Sequence, residues 1–309
     1  MAERIGKELA HPAVWHPKDA AEARRLRMSL GSRSLYVAGG TLLRTQWEAE
    51  LRKMPEHVID LGSVRELREI AEDGCVLKLG SQTTLAECRS SMLLMQDFPL
   101  LAEAARAIAA PSVRNLASLG GNVVSCVGDT IPALLIYEAE LLWLGNDGWQ
   151  IEPIGMWLDQ MQQQGDADMD RLLVSVRLPI DAGMGHAGRR FGCYHKVGRR
   201  EAFTPSVVTV AIRGSVSGEG KLCGLRAAAG GGQTIPRRLV ELEEQLEGAA
   251  PGEAALAAAY ETVMKSFDPK GDAFASAEYR RVTAANLITA ALWQAAQSGH
   301  AGTEVTPCC

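Results

Sequence analysis

Two double-glycine turns constrain this chain more than any other feature. One is Val37-Ala38-Gly39-Gly40-Thr41, and the other is Ser118-Leu119-Gly120-Gly121-Asn122. Glycine admits φ > 0 and lets the backbone approach a neighbour closely. Successive backbone N–H groups in such a turn can converge into a concave anion site. One such turn is common. Two, far apart in sequence and edged with Thr, Ser or Asn, point to two loops gripping one dianionic group such as a pyrophosphate.

The surrounding chain is large enough to build that site. Its 309 residues suit two or three domains, and 47% hydrophobic residues supply a sizeable core. A net charge of −5 argues against a nucleic-acid binder. No apolar run reaches membrane-spanning length, and the first residues lack an apolar stretch of the signal-peptide kind, so the expected location is the cytoplasm. The cysteines, at 75, 88, 126, 193, 223, 308 and 309, form no C-x-x-C pair, so no metal site is expected here. Their odd number suits reduced thiols. Cys126 reads as a small apolar filler.

Segment types alternate along the chain. A charged helix is expected over 18–28 and strands at 34–38 and 58–61, which make a β-α-β unit with the first glycine turn at a strand's carboxyl end. A second unit opens near Ser63. It has a strand at 76–80, helix-start chemistry at 83–87, a helix at 100–108, the second glycine turn, and a helix at 131–139. A hairpin around Asn146-Asp147-Gly148 and a strand at 172–178 complete it. Three glycines within 181–190 read as a linker. Strands at 207–212 and 221–228 and three helices follow. The last carries Ala284, Leu287, Ile288, Ala291, Leu292 and Ala295 at helical spacing. Gly230-Gly231-Gly232 reads as a structural strand-to-helix connection. The basic run from Arg189-Arg190 through Lys196 to Arg199-Arg200 reads as a solvated or subunit-facing surface.

The order Ala38-Gly39-Gly40-Thr41, Val113-Arg114-Asn115-Leu116-Ala117-Ser118-Leu119-Gly120-Gly121-Asn122, Gly128-Asp129 and Lys196-Val197-Gly198-Arg199-Arg200 resembles the FAD-binding (medium) subunits of the molybdenum hydroxylases. These are the medium subunit of carbon monoxide dehydrogenase and the flavin domain of xanthine dehydrogenase. The resemblance covers about residues 10–297. It implies an α+β fold in which two small α/β subdomains, 1–62 and 63–180, hold FAD between them. The 181–190 linker leads to a C-terminal domain, 191–297, of a three-stranded sheet and a helix bundle, and 298–309 reads as a disordered tail.

The resemblance implies an oxidoreductase. Molybdopterin lies on a large partner subunit and [2Fe–2S] clusters on a small one. The clusters deliver electrons to non-covalent FAD on this chain, which passes them to NAD+ or O2. A xanthine or purine dehydrogenase is the favoured complex. The implied cofactor contacts are Val37, Ala38, Gly39, Gly40, Thr41, Leu42, Ser118, Gly120, Gly121, Asn122, Asp129, Leu173 and Lys196; no catalytic residue is assigned. The glycines would offer N–H groups to phosphate oxygens. Asp129 would accept from ribityl or ribose hydroxyls, or cap the helix that follows it. Leu173 would touch the flavin, and Tyr194, His195 or Lys196 would reach its ring. Leu42 departs from the polar residue usual in the family. Two other readings are a self-contained FAD oxidase of the vanillyl-alcohol-oxidase type and a non-catalytic nucleotide-binding protein. No histidine for covalent flavin attachment adjoins either glycine turn, and retention of both turns favours a working site.

Overall fold

The computed structural model describes residues 11–164, 170–180, 188–198 and 205–297, arranged as three sheets with helices packed on them. The linker residues 181–187, the tail 298–309 and Arg199-Arg200 lie outside the described residues.

The first sheet is built from β1 (Ala13–Trp15), β2 (Ser34–Val37) and β3 (His57–Asp60), with α1 (Ala20–Leu30) and α2 (Thr41–Glu48) between them in sequence. Its strands are parallel in the order β1-β3-β2, with Leu35 opposite Val58. The expected β-α-β unit is therefore present, with β1 added at the edge. All three residues of β1 are exposed, so no apolar alternation marks it in the sequence. Asp19 starts α1 by accepting the Glu22 N–H at 2.7 Å.

The second sheet runs β4-β5-β8-β6-β7 and is antiparallel throughout. Its strands are β4 (Ile70–Asp73), β5 (Val76–Gly80), β6 (Glu140–Gly145), β7 (Gly148–Pro153) and β8 (Leu172–Pro179). Between β5 and β6 lie α3 (Leu85–Ser90), α4 (Met92–Asp97), α5 (Pro99–Ala107), α6 (Pro111–Arg114), α7 (Leu119–Val124) and α8 (Ile131–Ile136); α9 (Ile154–Gln164) follows β7. Leu79, Trp143 and Val176 of this sheet share one buried core with Leu101 of α5 and Leu134 of α8. A separate core joins the first two sheets, with Ile59 and Leu61 packed among Leu172 and Val174. The helix start expected at 83–87 is a complete capping box: Thr84 Oγ1 accepts from the Glu87 N–H at 3.1 Å, and Glu87 Oε2 accepts from the Thr84 N–H at 2.7 Å. Thr84→Ala is expected to cost about 1 kcal/mol, read as a lower thermal midpoint.

The third sheet contains β9 (Gly188–Gly198), β10 (Ser206–Ser217), β11 (Leu222–Gly231) and β12 (Thr234–Arg238), in the antiparallel order β12-β11-β10-β9. A short fourth strand, β12, thus joins the three expected strands. Gly188–Arg190, placed in the linker by their glycine-rich neighbourhood, begin β9, because they pair with Val216 and its neighbours on β10. Arg189 of the basic run donates to the Ala295 carbonyl, so it is tied to the protein's own last helix. Gly230-Gly231-Gly232 joins strand to strand: Gly231 pairs with Thr234 of β12. Their role is steric, since a Cβ on Gly231 would lie 2.6 Å from the Val207 carbonyl oxygen.

Helices α10 (Val240–Leu246), α11 (Glu253–Ser266) and α12 (Ala277–Gln297) pack on the third sheet. The apolar seam expected on the last helix is buried at Ala284, Ile288, Ala291, Leu292 and Ala295. Glu138, at φ 53°, bridges the second and third sheets: its Oε1 accepts from Arg226 Nε and Arg238 Nη1, both at 3.0 Å.

Candidate cofactor site

The first glycine turn ends β2 and starts α2. Gly40 occupies the N-cap position at φ 65°, in the left-handed region, and no side chain caps the helix. The first N–H groups of α2 therefore have no intrahelical partner and no capping side chain. Together with the helix dipole they favour an anion. Val37, Ala38, Gly39, Gly40 and Thr41 are half-buried, and Leu42 is 45% exposed.

Gly39 meets the second glycine segment. A Cβ there would lie 1.7 Å from the Leu116 carbonyl oxygen and 3.1 Å from the Ala117 nitrogen. The first turn is therefore in backbone contact with the segment that leads into the second, nearly eighty positions on in sequence, and only glycine permits it.

The second pair sits inside the first turn of α7 rather than in an open loop. Ser118 is its N-cap, and its Oγ accepts from the Gly121 N–H at 3.0 Å. The Gly120 N–H donates to the Ser81 carbonyl at 2.8 Å, and the Leu119 N–H to that of Thr83 at 2.8 Å. So the Gly120 N–H, expected to face a phosphate, already has a partner. Gly120 instead allows close packing, since a Cβ would lie 2.6 Å from Ser81 Cβ. Sequence reasoning missed the loop that supplies these partners. Ser81, Gln82 and Thr83 are all buried, and Ser81 Oγ and Thr83 Oγ1 have no hydrogen-bond partner within the protein. Buried hydroxyls are ordinarily paired. Their signal in the sequence was the polar Ser81-Gln82-Thr83-Thr84 stretch directly after a buried strand.

Asn122 carries the site onward. Its Oδ1 accepts from the Thr130 N–H at 3.1 Å and Thr130 Oγ1 at 2.6 Å, leaving its amide nitrogen as the donating side. Gly128 is pressed against it, with a would-be Cβ 2.2 Å from Asn122 Oδ1. This folds the 123–128 segment so that Asp129 faces the third sheet. Thr130, not Asp129, holds the N-cap position of α8, and the Asp129 carboxylate is engaged elsewhere. Its Oδ2 lies 2.9 Å from Lys196 Nζ, and its Oδ1 accepts from Ser206 Oγ at 2.6 Å.

Alternation along β9 separates His195 from Tyr194 and Lys196. Tyr194 and Lys196 share one face, and both reach the Asp129 loop. The Tyr194 hydroxyl donates to the Asp129 carbonyl at 2.8 Å, and burial pushes it well above its ordinary pKa, so it remains a donor. His195 is on the other face, and burial lowers its pKa, which favours the neutral ring at pH 7. Lys196 also donates to the carbonyl of Ala107, at the end of α5. Arg114 shapes that end, donating to the Arg106, Ile108 and Ala109 carbonyls around the left-handed Ala109. Leu173 lies in the core beneath the second sheet, paired with Trp143. Cys126, half-buried, packs against that same core.

Comparison with known proteins gives a consistent answer. Residues 7–181 match the family described as the FAD binding domain in molybdopterin dehydrogenase, and residues 193–295 match the CO dehydrogenase flavoprotein C-terminal domain. The chain is 29% identical to the carbon monoxide dehydrogenase medium chain of Hydrogenophaga pseudoflava, over 89% of this chain and 94% of that one. It is 29% identical to a xanthine dehydrogenase FAD-binding subunit of Escherichia coli, over 79% and 82%. In three dimensions it resembles the structure of the Hydrogenophaga pseudoflava carbon monoxide dehydrogenase that lacks the Mo-pyranopterin moiety of its cofactor. The TM-score is 0.81 at 27% identity, over 93% of this chain and 98% of that chain.

Proposed function

Because this chain belongs to the FAD-binding subunits of the molybdopterin dehydrogenases, we propose that it is the electron-transferring flavoprotein of a multi-chain molybdenum hydroxylase. A large molybdopterin subunit oxidises the substrate, and [2Fe–2S] clusters on a small subunit connect it to this chain. NAD+ or O2 takes the electrons onward. The cytoplasm is the compartment that suits this role.

The observation that carries the reading is the backbone contact between Gly39 and Leu116, which brings the uncapped start of α2 beside the Ser118–Asn122 turn. The residues fit FAD. A flat, dianionic pyrophosphate needs close backbone approach and several N–H donors without a bulky cation between them. Gly39, Gly40, Thr41 and Leu42 supply N–H groups, while Thr41, Ser118 and the Asn122 amide add side-chain donors. Val37 and Ala38 place this turn at the end of β2. Gly120 acts by its small size, holding α7 against the Ser81–Thr83 loop, and the Gly121 N–H is taken by the Ser118 cap. Leu173 lies under the second sheet as apolar support, and Asp129 and Lys196 form the polar wall contributed by two domains. When bound, FAD supplies a centre able to exchange electrons singly with clusters and in pairs with an acceptor.

A xanthine or purine substrate for the complex remains the favoured assignment. The relatives named above belong to enzymes with names as different as carbon monoxide and xanthine dehydrogenase, in keeping with substrate choice residing on another chain.

Mild affinity purification of the tagged chain from its native cell tests the assembly. The reading expects molybdenum and iron to accompany the chain at fixed stoichiometry, with two further polypeptides. A flavin-loaded chain that elutes alone, without either metal, would contradict it and favour a self-contained oxidase.

A further inference from the structure

Asp129 was expected to meet cofactor hydroxyls, yet both of its carboxylate oxygens are committed to the C-terminal sheet. Oδ2 pairs with Lys196 Nζ at 2.9 Å, and Oδ1 accepts from Ser206 Oγ at 2.6 Å. Its backbone carbonyl accepts the Tyr194 hydroxyl at 2.8 Å. Both charged side chains are largely out of water, with Asp129 13% and Lys196 9% exposed. Lys196 has three N–H donors. Asp129 takes one and the Ala107 carbonyl, at 3.2 Å, another, which leaves one uncommitted.

This cluster joins three pieces of the molecule. Asn122 of the second glycine turn holds Thr130, next to Asp129. Lys196 and Tyr194 come from β9, and Ser206 is the first residue of β10. Hydrogen bonds on either side of the Asp129–Thr130 peptide link therefore connect the second glycine turn to the third sheet.

We propose that the Asp129 carboxylate is a positioning residue, a charge clamp that pins Lys196 and Ser206 to the cofactor cleft and offsets the positive charge Lys196 presents there. The proposal rests on the flavoprotein reading above. Its physical content is electrostatic. A cation near an electron-accepting group favours the charged, reduced form, and a carboxylate at contact distance cancels most of that field. The clamp also keeps the third sheet docked, because removing either charge leaves the other buried without its partner. Ser206 is assigned here as the second anchor. It holds the carboxylate in the orientation that meets Lys196.

The test uses the full chain loaded with FAD, and four variants: Asp129→Asn, Lys196→Met, the double variant, and Ser206→Ala. Measured quantities are the midpoint potential of the bound flavin, FAD affinity, and the unfolding midpoint of the flavin-free chain. Asp129→Asn is expected to raise the potential, because Lys196 is left uncompensated. Lys196→Met is expected to lower it relative to Asp129→Asn, and the double variant to return close to wild type. Ser206→Ala is expected to raise the potential in the same direction as Asp129→Asn but by less, because the carboxylate is then held less firmly against Lys196.

A merely structural cluster would change unfolding midpoints and leave the potential where it was, and that result overturns the proposal. In the flavin-free chain the cycle should be non-additive, the double variant being less destabilised than the sum of the single ones. Additive midpoints would also overturn it. If the wild-type chain takes up no FAD, the flavoprotein reading itself fails, and the flavin-free cycle still shows whether the clamp exists.

Discussion

Gly39→Ala is expected to abolish FAD retention. The added methyl would be centred 1.7 Å from the Leu116 carbonyl oxygen and 2.4 Å from its carbon, and both are backbone atoms that cannot rotate away. The first glycine turn must then retreat from the segment leading into α7, and the two halves of the proposed pyrophosphate cradle separate. A loss on the order of 100-fold in affinity, or about 2.7 kcal/mol, is the minimum expected from losing one side of such a grip. Gly40→Ala makes the informative comparison. Its position is open, with only Val37 Cγ1 at 3.6 Å, so the cost is conformational, from φ 65°, and on the order of 1 kcal/mol. Titration of flavin-free protein, followed by quenching of FAD fluorescence, should rank the three as wild type, then Gly40→Ala, then Gly39→Ala. Equal affinity for wild type and Gly39→Ala would refute the close-approach argument.

The second large effect lies far from the site. Arg280 is 1% exposed within α12, where it donates to the Val207 carbonyl and pairs with Asp272 at 2.6 Å. Gly232, at φ 63°, leaves room for its guanidinium, since a Cβ there would sit 2.4 Å from Nη1. Arg280→Ala removes the cation, orphans the Val207 carbonyl and opens a cavity. Only Arg280 is buried, Asp272 being 29% exposed, so the cost comes from the lost guanidinium hydrogen bonds and packing, about 2–3 kcal/mol, which for a chain of this size lowers the thermal midpoint by roughly 5–10 °C. The Phe274 N–H, with lesser help from Ala275 and Arg280, holds the Asp272 carboxyl below its usual range. A depressed carboxylate contributes stability above its unfolded pKa, and that contribution is lost as pH falls through the folded one. Asp272→Asn should therefore narrow the gap between its own stability and the wild type's as the pH drops below about 4.

Much of this molecule is legible in the sequence because local signals and tertiary structure agree. Strand β5 and the final helix carry clear apolar patterns, and Thr84 with Glu87 announces a capping box. The glycine pairs marked where the two segments meet, because close backbone approach has few other solutions. What was not legible depends on partners distant in sequence. The second pair lies in a helix because Ser118 caps it and Ser81 and Thr83 accept its first N–H groups. The edge strand β1 has no buried residue to give it a period. Nothing near Asp129 in sequence shows that Lys196 and Ser206 will occupy its oxygens, because that meeting depends on how the third sheet docks.

The most direct test of the central claim is the flavin itself. The purified chain should show the visible absorption of an oxidised flavin, and mild denaturation should release FAD at one molecule per chain. A folded, colourless chain that takes up no added FAD would contradict the account.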